Sequence, residues 1–219
     1  MSYRVVDLSI SVRDGMRGVQ IEPELTFAQH GVNINRLVLS SHAATHLDAP
    51  LHWVDNGPTL DDMDLHKCCG PAWVLDLHHK APDDLITVVD LQPYESKIGP
   101  GGRLLLRTDW DQHADLPDYR TDFPHLSLEV ARWLADKGIA LLGLDTPSVA
   151  SLKEGDRDQL QAVHYALLSA NVVIVECLAN LRFLSSDPAW FVALPLKIAR
   201  GDGSPVRAVA LEGFNPLQS

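Results

Sequence analysis

With 219 residues, 46% of them apolar and 21% charged, the chain can bury one sizeable core, and a single domain over residues 1–219 is the economical expectation. The formal charge of −11 excludes a nonspecific nucleic-acid binder, which needs a basic surface. No apolar run reaches the roughly 18 residues of a membrane span. The start reads as a strand interrupted by Asp7 rather than a secretory signal, so a cytoplasmic protein is expected. Cys68 and Cys69 are adjacent and Cys177 is distant, which gives neither a disulfide framework nor a Cys-x-x-Cys knuckle.

Residues 4–10 read as that strand and Arg13-Asp14-Gly15 as a turn, while the stretch from there to about residue 31 is expected to be irregular. Residues 32–39 alternate apolar and polar, a strand that delivers the chain into Ser41-His42-Ala43-Ala44-Thr45-His46-Leu47-Asp48-Ala49-Pro50-Leu51-His52. Nowhere else do so many metal-ligating side chains meet in so short a span. Imidazoles and a carboxylate offer the nitrogen and oxygen donors that zinc or manganese takes. A straight strand would hold the Cα atoms of His42 and His46 about 13 Å apart, so the segment must bend, and Pro50 stops any helix from continuing. A turn or loop with converging side chains is expected.

Asn56-Gly57-Pro58 is a turn, and Asp61, Asp62 and Asp64 read as a solvated loop face. Residues 72–77 form a buried strand whose end is marked by His78 and His79; neighbours on a strand point in opposite directions and do not readily share an ion. A short helix falls within residues 86–94, and Arg103 to Arg107 is a buried strand ending at Thr108-Asp109-Trp110. Residues 111–124 have no period and are expected to flank the active site as a loop, where specificity often resides. Ser127 caps a helix that runs to Lys137 and stops at Gly138, with Val130, Ala131 and Leu134 facing the core. Residues 139–144 are the next buried strand. Asp145 at its end suits either of two tasks, accepting a hydrogen bond from a ligand histidine or capping a turn.

From Asp158 to Ser169 the residues Leu160, Val163, Leu167 and Leu168 recur at helical spacing, and His164 falls on their stripe, which buries it as a hydrogen-bonded core residue or as a ligand. Residues 172–175 are a buried strand with Glu176 at its tip, where a carboxylate needs a cation or strong donors. The ending, through residues 191–198, Gly201-Asp202-Gly203 and residues 206–211, reads as strand, turn, strand. Strands outnumber helices, so a mixed α/β fold is expected.

The stretch from His42 to His52 resembles the His-x-Gly-Thr-His-x-Asp-x-Pro-x-His signature of the metal-dependent cyclase/hydrolase family, which includes bacterial kynurenine formamidases and isatin hydrolases; Ala44 replaces the glycine. The resemblance continues through residues 104–110, 143–148, 164–180, 194–197 and 203–207. It implies a barrel-like mixed sheet flanked by a few helices, of the swivelling β/β/α type, and a homodimer. It also implies a metal-dependent hydrolase that opens an amide, a formamide or a cyclic amide of a small molecule. In the family's two-metal form, His42, His46 and Asp48 would hold one divalent ion, and Asp48, His164 and Glu176 the other, the ion being zinc or manganese. His52 matches the family's proposed general base or proton shuttle, and a further ligand or hydrogen-bond donor is its other reading.

Three departures carry expectations of their own. Ala44 implies a backbone that does not demand a positive φ there, or one that differs locally. Asp109 stands where relatives have glycine and would present an exposed carboxylate. Met16, Arg17, Gly18 and Val19 occupy the segment where the formamidases carry a pocket tryptophan, so kynurenine formamides are expected to be poor substrates. The rival readings are a cyclase or dehydratase acting on a carbonyl compound, and a metal-dependent binding protein without catalysis.

Overall fold

The computed structural model describes residues 3–185 and 187–214. In chain order its strands are β1 (Arg4–Asp7), β2 (Val19–Leu25), β3 (Ile34–Leu39), β4 (His46–Asp48), β5 (Cys69–Asp76), β6 (Leu85–Ile86), β7 (Arg103–Arg107), β8 (His125–Leu126), β9 (Leu141–Leu144), β10 (Val173–Glu176), β11 (Ala189–Val192), β12 (Gly203–Pro205) and β13 (Val209–Glu212). The helices are α1 (Phe27–His30), α2 (Val88–Leu91), α3 (Leu128–Asp136) and α4 (Arg157–Ser169). Nine strands form one curled half-barrel sheet in the order β1-β13-β11-β5-β7-β9-β10-β4-β12. This is the mixed, barrel-like α/β architecture that the sequence led us to expect.

The apolar runs β5, β7, β9 and β10 lie side by side and parallel at its centre. They read as near-continuous hydrophobic sequence because both faces of the sheet are covered. Leu104, Leu106, Leu142 and Ile174 pack beneath α3 and α4, whereas Leu105, Leu141, Val173 and Val175 fill the inside of the curl with Leu8, Leu47 and Phe191. Each fully buried leucine contributes about 1.5–3 kcal/mol relative to an exposed one. α3 starts where its cap predicts, the Ser127 hydroxyl accepting a hydrogen bond from the Val130 amide at 3.2 Å, and it is followed by Gly138 at φ 69°.

Two stretches depart from expectation. Residues 19–25 are not irregular but form β2, which pairs with β3 in a separate two-stranded ribbon; Pro23 is accommodated next to a register shift. The C-terminal part is not a simple hairpin either. β11 and β13 do pair, but the chain between them leaves on a long excursion that carries β12 to the opposite end of the sheet, beside β4. No helix among the described residues is long and apolar enough to cross a membrane.

Candidate metal centre

β4 holds the site because two neighbours clamp it. Opposite β10 it sets His46 across from Glu176 and Asp48 across from Ile174, and opposite β12 it sets Asp48 across from Gly203. The two-residue period of a strand then sends Leu47 into the core inside the curl and His46 and Asp48 to the helix-covered face. There α4 contributes His164, four residues after Leu160 as its stripe predicts, and β10 ends in Glu176.

The turn before β4 answers the question posed by Ala44. Its φ is 54°, so the position does demand the left-handed region that the family's glycine fills without strain; the expectation of an ordinary φ is corrected. The Ala44 carbonyl lies 2.9 Å from His46 Nδ1, and the Leu160 carbonyl lies 2.8 Å from His164 Nδ1. A carbonyl can only accept, so in both rings Nδ1 carries a proton, and Nε2 is the inward-facing atom whose lone pair a metal ion would take in place of a proton.

Those two Nε2 atoms converge on carboxylates at distances too long for good hydrogen bonds. His46 Nε2 stands 3.4 Å from both Asp48 Oδ1 and Glu176 Oε2, and His164 Nε2 stands 3.4 Å from Glu176 Oε1. Donor atoms of His46, Asp48 and Glu176 lie within 4.8 Å of one another, and so do those of His42, Asp48 and His52. Asp48 therefore belongs to both groups, between them, as a bridging ligand would. Its exposure is 1%, and its Oδ2 finds no hydrogen-bond partner among the described residues. A buried carboxylate oxygen left without a donor costs free energy that a cation would recover. The nitrogen and oxygen donors, the inward Nε2 atoms and this orphaned oxygen fit a divalent metal ion.

The charges of the site are mutually supporting. Burial alone would pull His46 and His164 down, yet His46 is raised well above the ordinary imidazole value by Cys177 and Glu176, and His164 is raised by Glu176. Burial pushes Glu176 up, but its contacts with His164 and His46 outweigh it and hold the carboxylate far below the usual range. His42, whose burial is offset by Asp48, is also raised; its Nδ1 lies 2.8 Å from Asp48 Oδ1 and its Nε2 2.9 Å from Asp202 Oδ2. His52 differs. Burial draws it below the ordinary value, its Nδ1 is 3.8 Å from Asp202 Oδ2, and its ring stacks on His42 at 3.8 Å between centroids.

Of the six residues singled out from the sequence, His42, His46, His52, His164 and Glu176 line one cavity, and Asp48 is buried behind it against His42 and His46. Their grouping is not the one the family pattern implies, since His46 sits with Glu176 and His52 sits with His42. Asp145 takes the turn-capping role: it accepts hydrogen bonds from the Thr108 and Asp109 amides, both at 2.8 Å, and no histidine among the described residues bonds to it. Asp109 is not a free carboxylate; it has φ 61° and is held by Arg107 at 2.8 and 2.9 Å. His78 is exposed and pairs with Asp76, outside the site.

The residue that sequence reasoning missed is Asp202, which its Gly-Asp-Gly setting disguises as a turn. The following Gly203 is there for space: a Cβ would fall 2.6 Å from His42 Cε1 and 2.8 Å from the Leu47 carbonyl oxygen. A cavity of about 270 Å³ opens onto His42, His46, His52, His164 and Glu176, with Trp53, Leu152 and Leu160 as its apolar wall.

The donor set, two groups of imidazoles and carboxylates that share Asp48, is one that a divalent metal ion would fit. The sequence profile of the Cyclase family, described as "Putative cyclase", matches residues 6–151, and the chain belongs to that family. It is 35% identical to a kynurenine formamidase of Bacillus cytotoxicus over 86% of this chain and 85% of that one. An isatin hydrolase bound to the product analogue thioisatinate superposes with a TM-score of 0.85 at 27% identity, covering 95% of this chain and 92% of that one. A predicted metal-dependent hydrolase from Bacillus stearothermophilus superposes at 0.78 with 27% identity over 96% and 99%.

Proposed function

We propose that this chain is a metal-dependent hydrolase of carbon–nitrogen bonds other than peptide bonds, opening a small formamide, amide or cyclic amide. The observation that carries the reading is Asp48, a buried carboxylate shared by two donor groups with one oxygen unsatisfied. The kinship with a kynurenine formamidase and an isatin hydrolase gives the bond class. Zinc or manganese, when bound, supplies Lewis acidity and lowers the pKa of a bound water to about 7.

The protein's own part is positional. His46, Asp48, His164 and Glu176 hold one side of the centre, and His42 shares Asp48 on the other. Nδ1 of His46 and of His164 is tied to a backbone carbonyl, which fixes each ring before any ligand arrives. His52, neutral through burial, takes the proton of the attacking water on Nε2 and returns it to the leaving nitrogen, while Asp202 faces its Nδ1. Trp53, 5.1 Å from the His164 ring, and Leu160 keep bulk water from that side.

The reading includes a second copy of the chain as partner. Its support is the ribbon β2–β3, on one face of which the chain itself buries Val19 and half-buries Ile21 but leaves their partners Leu39 and Leu37 exposed, as is every residue of β3. An isolated two-stranded hairpin is marginal in water, so such a face calls for a cover.

The test is formanilide turnover and elemental analysis of protein prepared without chelator, then chelated, then resupplied with Zn²⁺ or Mn²⁺. Activity should vanish and return with the metal, and Asp48→Ala should lose both metal and more than about 10³-fold in rate, the scale of several kcal/mol of transition-state stabilisation. Turnover indifferent to chelation and to Asp48→Ala would overturn the proposal.

A further inference from the structure

The cavity over the metal centre is acidic at its floor and cationic at its mouth. Arg17 and Arg120 line it together, and both also line an adjoining cavity of about 180 Å³ that shares His42. They come from the two loops that flank the site, residues 13–18 and 110–122, and the ion pair of Arg13 with Asp115 ties those loops to each other. Arg13 is thereby neutralised. Arg17 and Arg120 are not, since neither makes an ion pair or a hydrogen bond among the described residues.

Some arginines elsewhere find carboxylates, as Arg4 does in Glu212 and Arg182 in Asp111, while the side chains of Arg132, Arg157 and Arg200 pair with none among the described residues. What sets Arg17 and Arg120 apart is that both line the cavity above the histidines. Two unpaired guanidiniums facing one small cavity form a site for an anion, and the planar fork of arginine matches a carboxylate. The cavity wall between them and the histidines is apolar, through Trp53, Pro147, Leu152 and Leu160. A ligand that satisfies all three zones has an anionic group, a flat apolar spacer about one ring long, and an amide at the far end. A second polar feature sits in the adjoining cavity: the buried Tyr119 hydroxyl, beside the Cys177 thiol, has no oxygen or nitrogen partner among the described residues.

We infer that the substrate is a small aromatic amide bearing a carboxylate on the side away from the scissile bond, and that Arg17 and Arg120 bind this carboxylate. The inference rests on the hydrolase reading for the bond that breaks, and on the arginines alone for the charge. It makes them specificity residues, which affect substrate binding more than the chemical step.

The experiment compares 4-formamidobenzoate with formanilide, which lacks the carboxylate, on the metal-loaded protein. The ratio of their kcat/KM values should favour the carboxylate at least about tenfold in the parent. Arg17→Gln and Arg120→Gln should each lower that ratio roughly tenfold to a hundredfold, through KM, as expected for a charge-assisted hydrogen bond. Arg132→Gln, on α3 and away from the cavity, should leave the ratio unchanged. Equal use of the two substrates by the parent, or equal damage to both by the arginine variants, would overturn the inference, and so would a stronger arginine-dependent preference for 4-formamidophenyl phosphate. If neither formamide is turned over, the hydrolase reading fails, and calorimetry of benzoate against benzamide decides the anion site separately. A benzoate preference that disappears in the arginine variants upholds it; one that survives them, or no preference at all, overturns it.

Discussion

β3 and β4 are consecutive strands joined by a short turn, and they invert each other. Every residue of β3 (Ile34-Asn-Arg-Leu-Val-Leu39) is exposed although most of its length is apolar, with Leu37 at 56% and Val38 at 57%. Every residue of β4 (His46-Leu-Asp48) is buried although two of its three side chains are ionisable. A buried polar residue and an exposed apolar patch are the two observations about burial that carry information, because neither is stable without something more. On β4 we propose that a cation between carboxylates and imidazoles supplies it, and on β3 a second copy of the chain.

The largest expected effect lies at the edge of the buried side. His52 follows Pro50 on the turn after β4 and stacks on His42, close enough to Asp48 to be a ligand yet drawn below the ordinary imidazole value by burial and without a hydrogen bond at Nε2 among the described residues. His52→Ala should lower turnover by about 10²–10⁴-fold with metal content at the parental level, the contribution of a general base. Loss of an ion together with the rate would make His52 a ligand and move the proton transfer to another group, Glu176 being the next candidate.

A smaller effect is expected where β12 presses on the site. Gly203→Ala must move either the His42 ring or the Leu47 carbonyl, and the carbonyl belongs to the β4 backbone. Overpacking of this kind costs about 1–3 kcal/mol, to be read from the urea midpoint at constant slope, and metal occupancy should fall with the displacement of His42. Gly155→Ala, with nothing within 4 Å of the added carbon, is the matched control and should change neither.

What could be read in the sequence follows the same division. The parallel strands, α3 and α4 were legible because a segment covered on both faces, or on one helical stripe, carries its burial in its own pattern; Ser127, Gly138 and His164 all stand where that pattern puts them. The convergence of His46 and Asp48 on β4 was legible from the clustering of donor side chains there. β2 was not, since Glu22, Pro23 and Glu24 break the strand signal and the chain buries only Val19 of its apolar face fully. Nor was Asp202, because its role depends on β12 crossing the sheet to pair with β4, a contact between segments far apart in sequence that no local pattern announces. Asp145 stayed ambiguous until the position of Thr108 supplied the donors that decide it.

The smallest effect on the folded chain, and the sharpest test of the exposed side, is at Leu37. It pairs with Ile21 across the ribbon, on the same face as Val19 and Leu39, while Gln20, Val38, Glu22 and Arg36 share the opposite face. If that face met only water, Leu37→Ser would remove little buried area and change the stability of the chain by no more than about 0.5 kcal/mol. If a second copy covers it, the same substitution removes a leucine from an interface, where full burial is worth about 1.5–3 kcal/mol, and should weaken self-association by roughly tenfold to a hundredfold. Sedimentation velocity over a dilution series separates the two: the parent should run as a dimer, Leu37→Ser should dissociate at higher concentration, and Gln20→Ala on the opposite face should behave as the parent. A parent that is monomeric throughout, with Leu37→Ser indistinguishable from it, would remove the second copy as the cover and leave the apolar face of β2–β3 to a different partner.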